Sequence, residues 1–293
     1  MSLRLFIGGM RGSRPAIGSG FEEFGGDTTS LLLLGAQGER LVLDAGTGMR
    51  AVAGQLARME PDKMTVLFSH YHLDHLVGLT MNPLCYRPDW SFNLVGPTFA
   101  DGSVRDAVTR LVAPPYWPVS WERMNAHFAF VELTPARVAS PTPDVLNPIL
   151  ILRQNWHVRG CPVPHPGGCL AYRIDDRKDG ASLVFATDLE WQKRTDADET
   201  ALMTLCREPK PADLLIIDAH FGRADAKAFA GWGHSSWEDD LEIAQSAGIR
   251  RVLLGHHNPD ADDKALHAVE QQVKERAPGA ALARAGQWLT IGS

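Results

Sequence analysis

The sequence predicts an α+β fold in which β-sheets pack on each other and helices cover the outer faces. Apolar and β-branched runs typical of strands dominate the start and middle of the 293-residue chain. Helical patterns are interspersed among these runs. No repeat, low-complexity tract or clear linker divides the chain. We therefore expect one domain that spans residues 1–293.

Composition limits the classes of protein to which the chain can belong. The net charge of -6 argues against a nucleic-acid partner, because nucleic-acid binders usually present a basic face. The four cysteines are scattered and form no C-x-x-C motif, which is typical of reduced thiols in the cytoplasm. No apolar run approaches the ~18 residues of a membrane span. We therefore expect a cytoplasmic protein without membrane contact.

In the N-terminal half, the expected elements follow from apolar runs separated by glycine and proline. A first strand at 3–7 ends at Gly8-Gly9, and a helix at 49–59 begins after an N-cap at Thr47. The patterns predict further strands at 30–34, 40–43, 64–68 and 92–95, and further helices at 75–79 and 104–112.

A segment rich in proline and aromatic residues, Pro114 to Trp121, follows these elements. It cannot be the interior of a helix, because proline lacks the backbone N–H that a helix requires. Three interpretations remain open for this segment: a lid that shapes the substrate site, a dimer contact, or a packed surface loop.

The C-terminal half repeats one plan, in which a buried strand ends in a chemically active side chain. The patterns predict strands at 128–133, 149–153, 169–174, 182–187, 213–218, 251–255 and 288–291, and helices at 235–247 and 265–275. Asp188, Asp218 and His256 follow or end three of these strands. Strand ends are where α/β folds usually carry their catalytic groups.

Metal-competent side chains are concentrated in His70-Tyr71-His72-Leu73-Asp74-His75, directly after the strand at 64–68. In an extended backbone, His70 and His72 point to the same side. A helix that begins just after them would turn Asp74 and His75 towards a second point nearby. Because imidazole is a common metal ligand, the spacing predicts two neighbouring metal ions.

Three later residues supply the further ligands that two metal ions require. His165 lies in a loop that leads into a strand, Asp188 follows the strand at 182–187, and His256 follows the strand at 251–255. Each residue alone is a weak signal, and their number and contexts together support the metal site. Cys169, close to His165, is a weaker ligand candidate.

The H-x-H-x-D-H sequence at 70–75, followed in order by this loop histidine, aspartate and histidine, resembles the metallo-β-lactamase-fold superfamily. The resemblance covers nearly the whole chain. It implies a four-layer αβ/βα sandwich with the site at the edge between two sheets. The implied ligands are His70, His72 and His165 for one metal and Asp74, His75 and His256 for the other, with Asp188 as the bridge. A bridging carboxylate lets two cations share a hydroxide of lowered pKa.

Two positions distinguish branches of this superfamily. Members that hydrolyse β-lactams commonly have cysteine where this chain has Asp188, and oxygen-reducing di-iron members usually have glutamate where it has His72. Both differences favour a hydrolase with two divalent ions. Zinc is the expected metal, and ligands that are all nitrogen and oxygen also suit manganese or iron.

A second motif, Gly233-His234-Ser235-Ser236, precedes a predicted helix. It resembles the G-H-S-[ST] motif of ribonuclease Z and of cyclic-nucleotide and cyclic-phosphate diesterases. In those enzymes the histidine assists the scissile phosphate and the leaving oxygen, which implies the same role for His234. Asp218 stands where ribonuclease Z has a glutamate that supports this histidine. The alternative is a structural role for His234 beside the helix start.

Glycine-rich segments at 9–15 and 25–28 resemble the opening blocks of uncharacterised phosphodiesterase-like members of the superfamily. Arg11 is either a contact to the substrate phosphate or a structural part of this turn. The resemblance also implies that Asp44 hydrogen-bonds to metal ligands. His220 and His257 lie beside motif residues and are candidates for lining the substrate pocket.

Together these inferences predict a metal-dependent phosphodiesterase that acts on a small phosphodiester, such as a cyclic nucleotide or a cyclic phosphate. The predicted catalytic residues are His234, Asp74 and Asp218. The alternatives are an ester, thioester or lactam hydrolase on the same fold, ribonuclease Z-like RNA processing, and a metal-binding scaffold without activity. The sequence has no basic Gly/Pro-rich arm of the kind with which ribonuclease Z grips RNA. A homodimer is a candidate assembly.

Overall fold

The computed structural model describes residues 3–133, 150–152 and 155–292. Within these ranges, fourteen strands form two seven-stranded sheets. In spatial order, the first sheet contains β14 (Trp288–Ile291), β1 (Leu3–Gly9), β2 (Ser30–Leu34), β3 (Arg40–Leu43), β4 (Lys63–Leu67), β5 (Ser91–Pro97) and β6 (His127–Leu133). The second contains β13 (Ala280–Leu282), β12 (Val252–Gly255), β11 (Leu214–Asp218), β10 (Ser182–Ala186), β9 (Cys169–Asp176), β8 (Trp156–Val163) and β7 (Leu150–Leu152).

Helices accompany both sheets. The described ranges contain α1 (Met49–Leu56), α2 (Leu73–Leu76), α3 (Val104–Leu111), α4 (Asp196–Arg207), α5 (Arg223–Ala228), α6 (Trp237–Ser246) and α7 (Asp263–Arg276). Short 3-10 turns occur between them, one of which, Val77–Met81, continues directly from α2. Within this described part of the chain, no helix is both long and apolar enough to cross a membrane.

Both sheets are mixed, and each has a run of parallel strands. In the first sheet β3, β4, β5 and β6 are parallel neighbours. In the second sheet β10, β11, β12 and β13 are parallel neighbours. Parallel strands place all of their carboxyl ends on one edge of the sheet. The residues that follow these strands are therefore brought together at the sheet edges.

The two sheets face each other across a shared apolar core. Along β1 the side chains alternate, so that Leu5 and Ile7 enter this core whereas Phe6 points to the opposite face. Phe185 and Ile216 enter the same core from the second sheet. The alternation leaves each sheet with a second apolar face that has to be covered.

Helices cover these outer faces. On the first sheet, Val52 of α1 and Val108 of α3 belong to a separate buried cluster. On the second sheet, Leu202 of α4, Leu241 of α6 and Leu266 of α7 belong to a third cluster. The order of layers is helices, sheet, sheet, helices. The predicted α+β fold and the four-layer αβ/βα sandwich are therefore confirmed.

Two expectations about the N-terminal elements are wrong. β1 does not stop at Gly8 but continues through Gly9, since both glycines allow neighbouring backbone to pass within contact distance. A Cβ atom on Gly8 would lie 2.5 Å from the carbonyl oxygen of Gly48. Thr47 is not the N-cap of α1, because its Oγ1 accepts a hydrogen bond from the backbone N–H of Thr28.

Four elements have no counterpart in the sequence prediction: β8, α4, α5 and β13. Pro162 makes the sequence of β8 look unlike a strand, because proline is rare inside sheets. It lies beyond the three residues of β8 that pair with β7, so its missing N–H removes no hydrogen bond to β7. α4 begins with a capping box in which Thr195 and Asp198 each accept from the other's backbone N–H, a recognisable signal. The strand expected at 149–153 is present at Leu150–Leu152, and residues 149 and 153 lie outside the described residues.

In the proline- and aromatic-rich segment, residues 114–120 are irregular, as predicted, and Trp121 begins a short 3-10 turn. The Trp121 ring packs against Phe128 and Phe130, with ring centroids 4.5 and 5.5 Å apart. Tyr116, in contrast, is 76% exposed. The packing of Trp121 favours the interpretation of this segment as a packed surface loop.

Removal of a large side chain from the core between the sheets should destabilise the whole fold. Phe185 is fully buried there, so Phe185→Ala should lower the free energy of unfolding by about 3–5 kcal/mol. Ile17→Ala is the matched control, because Ile17 is 91% exposed and the change should stay within about 0.5 kcal/mol. Urea denaturation followed by circular dichroism measures both. Equal stability of the two variants would contradict the placement of Phe185.

Candidate metal centre

The chain segments that carry the predicted ligands converge at one edge of the two sheets. Asp44 follows β3, Asp188 follows β10 and His256 follows β12, and all three have left-handed backbones with φ of 55°, 59° and 53°. Such a conformation costs on the order of 1–3 kcal/mol in a residue other than glycine. The strain is concentrated where the chain turns back to point a side chain into the site.

Contacts across the sheets hold the His70 segment in place. The backbone N–H of Leu170 in β9 donates to the carbonyl oxygen of Ser69 over 3.1 Å. The hydroxyl of Tyr172 in β9 donates to the carbonyl oxygen of Phe68 over 2.7 Å. These bonds fix the end of one sheet against the other, directly before the first predicted ligand.

A first group of donor atoms consists of His70, His72 and His165, whose ligating atoms lie within 4.8 Å of one another. The distance from His165 Nε2 to His72 Nδ1 is 3.1 Å. His70 Nε2 is buried and has no hydrogen-bond partner among the described residues. His72 is exposed, so this group opens to solvent on one side.

A second group consists of Asp74, His75 and His256. The distance from His75 Nε2 to His256 Nε2 is 3.2 Å, and Asp74 Oδ2 lies 3.3 Å from each of these nitrogens. All three residues are buried. Three donors that converge on one point in a buried space form an arrangement that could hold a cation.

Asp188 lies between the two groups. Its carboxylate is 3.9 Å from His70 Nε2 and 4.0 Å from His165 Nε2 in the first group. It is 3.3 Å from His75 Nε2 and 3.2 Å from His256 Nε2 in the second group. One oxygen, Oδ2, has no hydrogen-bond partner within the described ranges. The carboxylate therefore faces donors of both groups.

Outer contacts orient the histidine rings. Asp44 Oδ2 lies 2.8 Å from His75 Nδ1, as expected for a residue that hydrogen-bonds to a ligand. Ser69 Oγ lies 3.0 Å from His70 Nδ1, and the carbonyl oxygen of Gly233 lies 2.8 Å from His165 Nδ1. Because Nδ1 of each ring is engaged, Nε2 is the nitrogen that points into the donor groups.

The chemistry of these donors fits divalent metal ions. Burial lowers the pKa of His165 to about 3 and the pKa of His256 to about 3. Burial also lowers the pKa of His70 well below its usual value. Metal ions bind the neutral form of imidazole. The neutral rings of His70, His165 and His256, together with the buried carboxylates, form a set of ligands that cations would complete. Burial also lowers the pKa of His75, but the neighbouring carboxylates of Asp188, Asp74 and Asp44 outweigh it and raise this pKa well above its usual value.

His234 and Asp218 form a buried pair beside these groups. His234 Nδ1 lies 2.7 Å from Asp218 Oδ2, so the shorter carboxylate of aspartate reaches the histidine. Burial lowers the pKa of His234, but the negative charge of Asp218 outweighs it and raises this pKa to about 9. The His234 ring is 4.7 Å from the His256 ring and 5.8 Å from the His165 ring. Ser236, not His234, caps helix α6.

His220, predicted only as a candidate for lining the pocket, contacts both His234 and Asp218. Its ring stacks on His234 with centroids 4.3 Å apart, and its backbone N–H donates to Asp218 over 2.7 Å. In the sequence, the only indication of this placement is that His220 follows Asp218, the last residue of a strand, by two positions. His257, in contrast, is fully buried, with Nε2 2.8 Å from the carbonyl oxygen of Ala283. This placement corrects the predicted substrate contact of His257.

The predicted substrate contact of Arg11 also needs correction, because its guanidinium is fully buried in the protein. Nε donates to the carbonyl oxygen of Gly25 over 2.8 Å. Nη1 donates to the carbonyl oxygens of Asn258 and Ala261 over 3.1 and 2.7 Å. Arg11 therefore ties three loops together, which agrees with the alternative of a structural role in the turn.

A cleft of about 270 Å³ adjoins the first donor group. Its lining includes His70, His72, Phe99, Ser103 and Arg110. The volume suits part of a small molecule. No feature of the sequence singled out the segment at 99–110 as part of this wall.

Comparison with known proteins agrees with this geometry. Residues 39–257 match the family model described as the beta-lactamase superfamily domain. Ribonuclease Z from Clostridium acetobutylicum is 21% identical over 268 residues, which cover 78% of this chain and 82% of that protein.

Solved structures with the same fold include the short form of human tRNase Z, with 19% identity and a TM-score of 0.67 over 99% of this chain and 100% of that chain. They also include a diphosphatase of the PhnP family, with 16% identity and a TM-score of 0.67 over 99% of this chain and 97% of that chain. The resemblance deduced from the histidine motif is confirmed. The chain belongs to the beta-lactamase superfamily and has the metallo-beta-lactamase fold.

Proposed function

We propose that the protein is a phosphodiesterase that hydrolyses a small phosphodiester at two divalent metal ions. The observation that carries this proposal is the His234–Asp218 pair, 2.7 Å apart, beside a set of histidine and aspartate donors. A histidine held in this way can supply a proton to a leaving oxygen. Hydrolysis of a phosphodiester requires such a proton when the leaving group is an alkoxide.

In this proposal His70, His72 and His165 would hold one ion, and Asp74, His75 and His256 would hold the other. Asp188 faces both groups of donors and would serve as a ligand shared by them. Zinc is the metal that we favour, and manganese or iron would suit the same ligands. When bound, the ions supply Lewis acidity and a nucleophile at neutral pH.

The residues of the chain itself position the substrate and move the proton. His234 holds its Nδ1–H towards Asp218, which leaves Nε2–H free to donate to the leaving oxygen. Asp218 is fixed by the backbone N–H of His220, and it stabilises the protonated ring. Substitution of His234 or Asp218 should therefore slow the reaction and leave the predicted metal ligands in place.

Two observations support a small substrate. The net charge is -6, which disfavours a polyanion. The cleft beside His70 and His72 has a volume of about 270 Å³. A second candidate is RNA processing, favoured by the alignment with ribonuclease Z over 78% of this chain. Ester, thioester or lactam hydrolysis is disfavoured by the aspartate at position 188.

Metal binding should depend on the predicted ligands and should stabilise the protein. His70→Ala and Asp188→Ala should each lower the metal content of purified protein, because each removes a buried donor. Chelation should lower Tm, and added zinc or manganese should restore it, since a ligand that binds only the native state stabilises it. Elemental analysis and thermal unfolding measure the two effects.

His127→Ala is the matched control for metal binding, because His127 is exposed on β6 and belongs to neither donor group. It should retain the metal content of the natural protein. Equal metal content in His127→Ala, His70→Ala and Asp188→Ala would contradict the assignment of the ligands.

The metal-loaded protein should hydrolyse bis-(p-nitrophenyl) phosphate but not nitrocefin or acyl thioesters. His234→Ala should lower kcat by about 10²–10⁴-fold, the usual effect of loss of a general acid. Asp218→Asn should lower kcat as well, because it removes the charge that keeps His234 protonated. Neither change should alter the metal content.

These outcomes separate the candidate functions. Turnover of nitrocefin or acyl thioesters without turnover of bis-(p-nitrophenyl) phosphate would contradict the phosphodiesterase proposal. Cleavage of precursor transfer RNA at a higher kcat/KM than that of small diesters would favour RNA processing. Two bound metal ions without turnover of any of these substrates would indicate a scaffold.

A further inference from the structure

A row of aromatic rings leads from His234 to the surface of the protein. The ring of Phe221 is 6.0 Å from that of His234, and Phe229 stacks on Phe221 with centroids 5.2 Å apart and an interplanar angle of 10°. Trp232 meets Phe229 edge-on at 5.3 Å. We call Phe221, Phe229 and Trp232 the aromatic ledge. Its inner ring, Phe221, lies beside the histidine that we propose as the proton donor to the leaving oxygen, and Phe229 and Trp232 follow in turn along the row.

The outer part of the ledge is unusually exposed for large apolar side chains. Phe229 is 41% exposed and Trp232 is 67% exposed, whereas Phe221 beneath them is only 5% exposed. A Trp side chain in solvent forgoes much of the hydrophobic stabilisation that burial would give. The inner ring therefore supports the fold, and the outer rings are available to another molecule.

The backbone that carries Trp232 is fixed to the site. Gly231 and Gly233 on either side have positive φ of 98° and 91°. The N–H of Gly231 donates to Oε1 of buried Glu190 over 2.6 Å, and the carbonyl oxygen of Gly233 contacts His165 Nδ1. A Cβ on Gly233 would lie only 2.5 Å from the His165 ring. The turn thus holds the backbone of Trp232 at a set position relative to His165.

We propose that Phe229 and Trp232 bind an aromatic substituent of the substrate, of the chemical class of a nucleobase or an aryl ring. The proposal rests on the phosphodiesterase function proposed above. Stacking of a base on an aromatic side chain is sequence-tolerant and contributes to binding in many proteins. The Phe221 end of the ledge adjoins His234, whereas the cleft of about 270 Å³ adjoins His70 and His72. The two substituents of a phosphodiester would therefore occupy separate places.

The test compares two ligands that share a sugar and a phosphate but differ in the base. Adenosine 5′-monophosphate and ribose 5-phosphate are titrated into the zinc-loaded protein by calorimetry. The natural protein should bind the nucleotide roughly tenfold or more tightly, since stacking on one aromatic side chain has an effect of this order. In Trp232→Ala this ratio should fall towards one, with little change in the Kd of ribose 5-phosphate.

Two further variants complete the design. Trp232→Phe should retain part of the ratio, because it keeps an aromatic face at this position. Tyr116→Ala is the matched control, since Tyr116 is 76% exposed on the irregular segment 114–120 and outside the ledge. It should show the ratio of the natural protein.

Several results would overturn the ledge as a binding site. An unchanged ratio in Trp232→Ala, or an equal loss of affinity for both ligands, would assign Trp232 a structural role. A natural dimer that dissociates in Trp232→Ala would make the ledge a contact between two copies of the chain. If the natural protein hydrolyses bis-(p-nitrophenyl) phosphate but binds both ligands equally, only the ledge proposal fails. If it neither hydrolyses the diester nor binds either ligand, both proposals fail.

Discussion

The apolar core between the two sheets is the constraint on which the site depends. Leu5 and Ile7 from one sheet and Phe185 and Ile216 from the other fix the sheets face to face. This packing brings the carboxyl ends of parallel strands from both sheets to one edge. Neither sheet alone carries a complete set of donors. Catalytic geometry in this protein is therefore a property of sheet packing, and it forms only when the whole sandwich has formed.

The sheet edge that carries the site is locally destabilised by the features that make it polar. Among the described residues, three of the four non-glycine residues with left-handed backbones, Asp44, Asp188 and His256, lie there. Buried atoms of His70 and Asp188 also lack hydrogen-bond partners in this part of the chain. Strain and unpaired polar atoms both favour unfolding. The surrounding cores tolerate this cost because their side chains are fully buried. Bound cations would offset part of it.

The sequence was most informative where a function depends on local spacing. The motif from His70 to His75 predicted two donor groups, because both are set by a strand end and the start of a helix. The order of the later ligands and their places after strands extended that prediction to His165, Asp188 and His256. Burial is a property of the whole fold, and so Arg11 looked like a phosphate contact although its guanidinium bonds to backbone oxygens. The aromatic ledge was missed because its rings meet only after α5 and the turn before His234 have formed.

The carbonyl group of Gly233 joins two parts of the protein that are usually considered separately. It contacts His165 of the first donor group, and it belongs to the residue between Trp232 and His234. Any rotation of the His165 ring on metal binding would act directly on the peptide unit between Gly233 and His234, and on Trp232 only through the preceding peptide unit. Metal occupancy and substrate affinity would then be linked, and by thermodynamic reciprocity each would change the other by the same factor. Under the proposals above, an ion held by His70, His72 and His165 would then influence substrate affinity as well as the reaction.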